Sequence, residues 1–327
     1  MSSKCFEPEF HSPVARLMEQ FIQEKQACGY KYHIGTRLLQ QLDNHLSDKG
    51  LNTNELPWSV TRQWIAKRPH ESASTQQHRI SIVHQFAQFM CRMGYPAPVV
   101  DRSLAVKDNV GFAPRILTRG EVQRVLRAVD QLSPTAHAPL RHRIMPEVFR
   151  LLYGCGFRVN ELLQLKVRDV DLQQGVITVR QDKFCKDRLV PPAVSLVKRL
   201  QRYAACMENH SPDAFFFPSP SNGAWSIQAT YHLFRKLLLE CGIMHGGRGK
   251  GPRLHDLRHT FAVHALLRWY QNGADLNAKL LVLAAYLGHQ SLKGTQRYLH
   301  LTAELFPEVT QRVSADFGDV IPRRVCP

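Results

Sequence analysis

Apolar residues recur at helical spacing through most of residues 13–100, and this pattern constrains the fold more than any other feature of the chain. The first run places Leu17, Phe21 and Ile22 on one helical face. Three similar runs follow, separated by turn-forming residues such as Gly50. The pattern therefore predicts an all-α amino-terminal domain of four helices.

From Thr118 onward the pattern is mixed. Two strand-like stretches, 175–180 and 187–190, are joined by a turn and flanked by helical runs. Helices are predicted near 119–130, 141–154, 159–166, 193–208, 228–242, 256–272, 277–287, 292–298 and 302–315. The sequence thus predicts a mainly α fold, with a second domain that is α+β, mostly helical, and carries a small β-sheet. Because residues 96–114 have little apolar periodicity, we place the two domains at 1–105 and 106–327.

The charge of the chain is strongly positive and unevenly distributed. There are 43 Lys and Arg against 27 Asp and Glu, for a net charge of +16. Residues 1–105 carry 12 basic and 9 acidic side chains, and the remainder carries 31 and 18. Such a surplus favours a nucleic-acid partner, although a basic protein without one is the alternative.

Other compositional features exclude several classes of protein. The eight cysteines occur singly, the first residues are polar and acidic, and no apolar run is long enough for a membrane span. We therefore expect reduced thiols, no disulfide framework, no membrane partner and a cytoplasmic location.

Six residues in the second domain form a set suited to phosphoryl transfer. Two arginines can hold the non-bridging oxygens of a phosphodiester with their planar forks, and histidines can add further donors. A lysine or histidine can protonate a leaving 5′ oxygen, and a tyrosine can act as the nucleophile. The six are Arg158, Lys183, His255, Arg258, His289 and Tyr298.

Each member of this set also has a structural alternative. Arg158 begins a predicted helix three residues before Glu161 and could simply pair with it. A single histidine or tyrosine such as His289 or Tyr298 is commonly a core residue. Lys186 competes with Lys183 for the position in the turn.

The string from His255 to His259 is the most specific of the patterns. His255 and Arg258 are spaced i, i+3 near a helix start, so they share a face. A metal-binding His-Asp pair is the rival interpretation, but it needs further ligands. We expect Asp256 and His259 to be structural residues beneath the site.

Together these patterns resemble the active site of the tyrosine recombinases, the phage-integrase and Xer family. The resemblance implies a SAM-like core-binding domain at 1–105 and DNA cleavage through a 3′-phosphotyrosine at Tyr298. It implies no cofactor, ATP or metal, no small-molecule substrate, and a double-stranded DNA recombination site as partner. It also implies a dimer on each site, a homo-tetramer in the synapse, and a bacterial, nucleoid-associated protein serving a mobile element.

Two departures from the family pattern stand out. Lys183 is flanked by Asp182 and Phe184, where family members commonly have glycines. The interval of 34 positions from His255 to His289 is longer than in compact Xer-type members, which disfavours chromosome-dimer resolution.

Basic and polar residues outside the set are candidates for DNA contact. A solvated face is the alternative for each of those in the first domain, and a surface loop is the alternative for residues 242–253. The candidates are Lys31, Arg37, Arg62, Lys67, Gln77, Arg79, Lys186, Arg248 and Lys250.

Two functional classes remain open on sequence grounds. The first is an enzyme, either a site-specific recombinase or a type IB topoisomerase that nicks and reseals without strand exchange. The second is a DNA-binding protein without catalytic activity. A complete set of six residues favours the recombinase, since a binding protein has no need of a phenol beside paired arginines.

Overall fold

The computed structural model describes residues 9–106, 114–180, 187–207, 211–247, 251–289, 291–296 and 298. The chain divides into two compact units, 1–112 and 113–327. Among the described residues, no helix is both long and apolar enough to cross a membrane.

The described residues of the first unit form four α-helices, as its apolar spacing predicts. They are α1 (Ala15–Ala27), α2 (His33–Asp48), α3 (Trp58–Ile65) and α4 (Ala73–Arg92). Phe21 of α1, Leu39 and Leu42 of α2, and Phe86 of α4 are each no more than 1% exposed and belong to one core cluster. The amphipathic faces of the helices therefore meet in a single core.

Arg79 of α4 lies inside this unit and not on its surface. Its side chain is 1% exposed and makes a bidentate contact with Glu71, with distances of 2.7 and 2.5 Å. It also donates to the carbonyl oxygens of Trp64 and Ala66. The prediction that Arg79 contacts DNA is therefore wrong, because its guanidinium is buried in contacts with Glu71 and with the carboxyl-terminal end of α3.

The second unit is mainly helical with one small sheet, and the predicted fold class is confirmed. Its helices are α5 (Arg119–Asp130), α6 (Arg141–Gly154), α7 (Val159–Leu163), α8 (Val194–Ala205), α9 (Ile227–Glu240), α10 (Leu254–Gln271), α11 (Leu276–Leu287) and α12 (Lys293–Gln296). Thr118 and Glu121 form the capping box at the start of α5. The helix predicted over 302–315 lies outside the described residues.

The sheet consists of three antiparallel strands in the order β1–β2–β3: β1 (Val170–Asp171), β2 (Val176–Val179) and β3 (Arg188–Val190). The two-residue strand β1 was not predicted. Val179 pairs with Arg188, and Ile177 pairs with Val190. Side chains alternate along a strand, so Arg188 shares the buried face with Val190 while Leu189 is 64% exposed. The turn with Lys183 and Lys186 lies outside the described residues.

The loop between α6 and α7 approaches α10 and α11 closely at Gly156. This residue has φ +63°, and a Cβ there would lie 2.7 Å from the Phe261 ring and 2.8 Å from Leu287 Cδ2. Glycine therefore satisfies both the left-handed backbone and the close packing. The approach brings the carbonyl oxygen of Gly156 to Arg258.

Candidate active site

Five of the six residues singled out in the sequence are described, and they come from four separate segments. Arg158 immediately precedes α7, His255 and Arg258 lie on the first turns of α10, His289 follows α11, and Tyr298 follows α12. Contacts and electrostatic interactions link them. The sixth, Lys183, lies outside the described residues.

Arg258 is a buried cation without a carboxylate in hydrogen-bonding contact among the described residues. It is 1% exposed and donates to the carbonyl oxygens of Gly156 at 2.7 Å and Leu287 at 2.6 Å. Its Nε is buried and has no hydrogen-bond partner in the described part of the chain. Burial, and next the charge of Arg158, lower the pKa of Arg258 to about 10. The site therefore holds positive charge at a cost, which a bound anion would offset.

Glu161 connects two further arginines at this site. It forms ion pairs with Arg158 and, at 2.6 Å, with Arg188 of β3. Arg158 also donates to the carbonyl oxygen of Gly288 at 2.9 Å. One carboxylate thus orients two guanidinium groups.

His289 is held in place by the end of α11. Gly288 has φ +67° and ends the helix in the left-handed conformation, so the chain turns at His289. The Nδ1 atom of His289 lies 2.7 Å from Oγ1 of Thr295. Burial, followed by the charges of Arg258 and Arg158, lowers the pKa of His289 to about 4. The ring is therefore neutral at pH 7 and offers one N–H donor.

Tyr298 is 1% exposed, and its hydroxyl lies 3.0 Å from Nδ1 of His259. The two rings are 5.5 Å apart at 56°. The ring of His289 also stacks with that of Tyr298, and their centroids are 6.1 Å apart. Tyr298 is also close enough to Arg258 for their charges to interact. The phenol therefore lies beside a buried cation.

His255 lies one turn before His259 on α10, and the two rings meet edge to face at 4.7 Å. His255 is partly exposed whereas His259 is 5% exposed. Asp256 is fully buried and accepts a hydrogen bond from the backbone N–H of Arg253 at 2.9 Å. Asp256 therefore caps the start of α10, the structural role expected for it.

Comparison with known sequences identifies the family. The sequence model of the phage integrase family matches residues 115–304, more than half of the chain. The chain belongs to the phage integrase family. It is 31% identical over 247 residues to the tyrosine recombinase XerD of Ralstonia nicotianae, covering 74% of each chain. It is 32% identical over 253 residues to a Sinorhizobium fredii protein named as a candidate integrase/recombinase, covering 76% of this chain and 79% of that one. The family member described here is thus a tyrosine-type DNA recombinase.

Solved structures of the same family share the fold. The integrase of transposon Tn1549, in complex with transposon right end DNA, aligns with a TM-score of 0.62 at 16% identity, covering 86% of this chain and 94% of that one. The XerH recombinase bound to its difH substrate aligns with a TM-score of 0.58 at 18% identity, covering 85% and 79%. At these identities the likeness establishes the fold.

Three residues that contact the site did not stand out in the sequence as part of it. Arg188 lies in a strand-like stretch. Its inward orientation could have been predicted from the sequence only because it lies two positions before Val190 and therefore shares a face of the strand with it. Thr295 lies three residues before Tyr298 in the sequence and was not among the candidate residues. His259 had been assigned a structural role, yet it contacts the hydroxyl of Tyr298.

Among the candidate DNA contacts, Lys31, Arg37, Arg62, Lys67 and Gln77 are exposed. Lys186, Arg248 and Lys250 lie outside the described residues. The part of the chain that the structure describes holds no cluster of three or more His, Cys, Asp or Glu side chains placed to share a metal ion.

Proposed function

We propose that this protein is a site-specific recombinase that cuts and rejoins DNA through a 3′-phosphotyrosine link at Tyr298. The observation that carries the proposal is the position of Tyr298 within electrostatic range of Arg258, a buried arginine that contacts no carboxylate among the described residues. Burying the charge of Arg258 beside a phenol is unfavourable for a purely structural core, because burial of charge is costly unless an anion is bound.

The roles of the six residues follow from their chemistry. Arg158 and Arg258 hold the non-bridging oxygens of the scissile phosphate, with His255 and His289 as additional donors. Tyr298 attacks phosphorus, and the bond to the 5′ oxygen breaks. Lys183 protonates that oxygen as it leaves. Since the phosphotyrosine retains the energy of the broken bond, the released 5′ hydroxyl of another strand can reverse the reaction without ATP or metal.

Double-stranded DNA is the proposed partner. The net charge of +16 favours a polyanion. The printed descriptions of related structures add support, since the Tn1549 integrase and XerH were each solved with DNA. The exposed residues Lys31, Arg37, Arg62, Lys67 and Gln77 are proposed to contact DNA from the first unit, and Lys186, Arg248 and Lys250 are proposed contacts of the second.

We further propose two protomers on each DNA site, a tetramer in the synapse and a biological role in a mobile element. The long interval between His255 and His289 supports the last of these, since it departs from compact Xer-type members. Residues 302–327 are proposed to dock on a neighbouring protomer. Deleting them should leave DNA binding intact and remove synapsis; recombination at the full rate would instead mean that they dock within their own protomer.

Strand exchange separates a recombinase from a nicking-closing enzyme. Two copies of the DNA that flanks the gene are placed on one supercoiled plasmid, and products are followed in the presence of EDTA. Recombinant circles that depend on Tyr298 are expected. Relaxed plasmid without recombinants would favour the topoisomerase alternative, and binding without any cleavage would favour the non-catalytic one.

A further inference from the structure

The Nδ1 atom of His259 lies 3.0 Å from the hydroxyl oxygen of Tyr298. This distance is within the range that joins a nucleophile to the base that activates it. The contact spans 39 residues of sequence and is buried on both sides, since His259 is 5% exposed and Tyr298 is 1% exposed. It is therefore fixed by the tertiary fold.

Two of the histidines on helix α10, His255 and His259, lie at different depths. His255 is partly exposed beside Arg258, where a phosphate would lie, and His259 is one turn deeper. The edge-to-face packing of the two rings, at 4.7 Å, limits how His259 can rotate. The outer histidine is thus placed for the substrate and the inner one for the nucleophile.

His289, the other histidine beside Tyr298, is poorly suited to take a proton. Its Nδ1 pairs with Thr295 at 2.7 Å, and burial among arginines lowers its pKa to about 4. A base that weak binds a proton reluctantly at neutral pH. Of His259 and His289, whose rings both pack against Tyr298, His259 is therefore the better acceptor.

We propose that His259 is a catalytic residue that positions the hydroxyl of Tyr298 and accepts its proton when the phenol attacks. This inference rests on the proposed function. In the cleavage step the Oη–H bond breaks and the proton moves to Nδ1 of His259. The oxygen forms a bond to phosphorus, and the bond from phosphorus to the 5′ oxygen breaks, its electron pair leaving with that oxygen, which takes a proton from Lys183.

Rejoining runs through the same groups in reverse. The 5′ hydroxyl attacks phosphorus and gives its proton to Lys183, and the tyrosine oxygen leaves and recovers its proton from His259. The charge that develops on the phenolic oxygen faces Arg258, whose charge already interacts with Tyr298. His259 therefore needs to hold a proton only while the phosphotyrosine exists.

The test compares His259 with a matched histidine on the same helix. His264 is 7% exposed, and its Nδ1 lies 2.9 Å from the hydroxyl of Tyr153, so His264→Leu loses a part-buried hydrogen bond between the same two kinds of atom, made to Tyr153 instead of Tyr298. Single-turnover formation of the denaturant-resistant protein–DNA complex is measured on a plasmid that carries the flanking DNA. His259→Leu should form it about 10²–10³-fold more slowly, within the range for loss of a general base, and His264→Leu within a few-fold of the unaltered protein.

His259→Asn guards against a folding defect, because its amide can replace the hydrogen bond at the Nδ1 position but cannot take up a proton. We expect His259→Asn to bind DNA and unfold like the unaltered protein yet to cleave slowly, with a different dependence of rate on pH. Other charged or titratable groups around the phenol also contribute to this dependence of rate on pH, and both His259 variants retain these groups. They are Arg158, Glu161, Arg188, His255, Arg258 and His289.

A substrate with sulfur in place of the bridging 5′ oxygen separates the acid from the base, because a thiolate leaves without a proton. It should rescue Lys183→Ala and leave His259→Leu slow. The assignment would be overturned if both His259 variants cleaved as fast as the unaltered protein or faster. Rescue of His259→Leu by the sulfur substrate would overturn it as well. If the unaltered protein forms no complex through Tyr298, the proposed function itself fails.

Discussion

Each of the two units buries an arginine to 1% exposure, and the two residues are treated in opposite ways. In the first unit, Arg79 meets Glu71 in a bidentate ion pair, and the pKa of Glu71 is lowered mainly by this hydrogen-bonded contact. In the second unit, Arg258 meets carbonyl oxygens, and burial together with Arg158 lowers its own pKa to about 10.

The difference teaches how to separate a structural cation from a functional one. A buried arginine neutralised by a carboxylate joins two helices and needs nothing more. A buried arginine that is held by carbonyl dipoles, next to other arginines, keeps its charge available for a ligand. Burial alone does not distinguish the two, whereas the charge of the partner does.

Exchanging each arginine for lysine tests this contrast most strongly. Arg258→Lys keeps the charge and loses the planar fork, so the cleavage rate should fall about 10²–10³-fold, the cost of losing one preorganised donor. Arg79→Lys should leave the rate of cleavage unchanged and lower the free energy of unfolding by about 1–3 kcal/mol. Single-turnover cleavage and urea unfolding measure the two effects. Equal rates for Arg258→Lys and the unaltered protein would remove the contrast.

The two carboxylates offer a second, smaller contrast. Glu161→Gln releases Arg158 and Arg188 from a shared partner, so we expect cleavage to slow about tenfold through loss of orientation. Glu71→Gln should instead destabilise the first unit by about 3 kcal/mol, because Arg79 is left buried and unpaired. Should Glu71→Gln slow cleavage as much as Glu161→Gln, the division between structural and functional pairs would be wrong.

The low pKa of His289 makes a prediction for stability against pH. The folded value of about 4 lies below the unperturbed value of about 6.5, so between these pH values the unfolded chain binds more protons. The stability that the neutral form of His289 contributes is fully present above about pH 6.5 and is lost as the pH falls through 4. Between pH 7 and pH 4 the free energy of unfolding, measured with urea, should decrease less in His289→Gln than in the unaltered protein, by on the order of 1–3 kcal/mol. An identical decrease in both proteins would contradict the buried, arginine-flanked environment.

The smallest expected effect concerns salt. Arg62 and Lys67 are exposed on the first unit, and loss of a phosphate contact should reduce the slope of log binding constant against log salt concentration by about 1. Arg62→Gln and Lys67→Gln should each show this reduction, and Arg79→Gln should not. An unchanged slope for both surface variants would indicate that these side chains face solvent.

Sequence patterns predicted the four helices of the first unit and most elements of the second because apolar periodicity is a local property. They also predicted the set of site residues, since the resemblance rests on short patterns such as the one from His255 to His259. What they could not predict were contacts that a side chain makes outside its own helix. Whether Arg79 pairs with Glu71, or His259 with Tyr298, depends on how helices pack, and neither spacing nor residue type encodes it.

The chemical identity of the covalent link tests the central claim most directly. The protein is incubated with the flanking DNA, the complex is trapped with denaturant, and the DNA-bearing peptide is sequenced by mass spectrometry. We predict a single attachment, a 3′-phosphate on the oxygen of Tyr298, and none in Tyr298→Phe, which should still bind duplex DNA. Attachment at another residue, or a covalent complex that persists in Tyr298→Phe, would contradict the account.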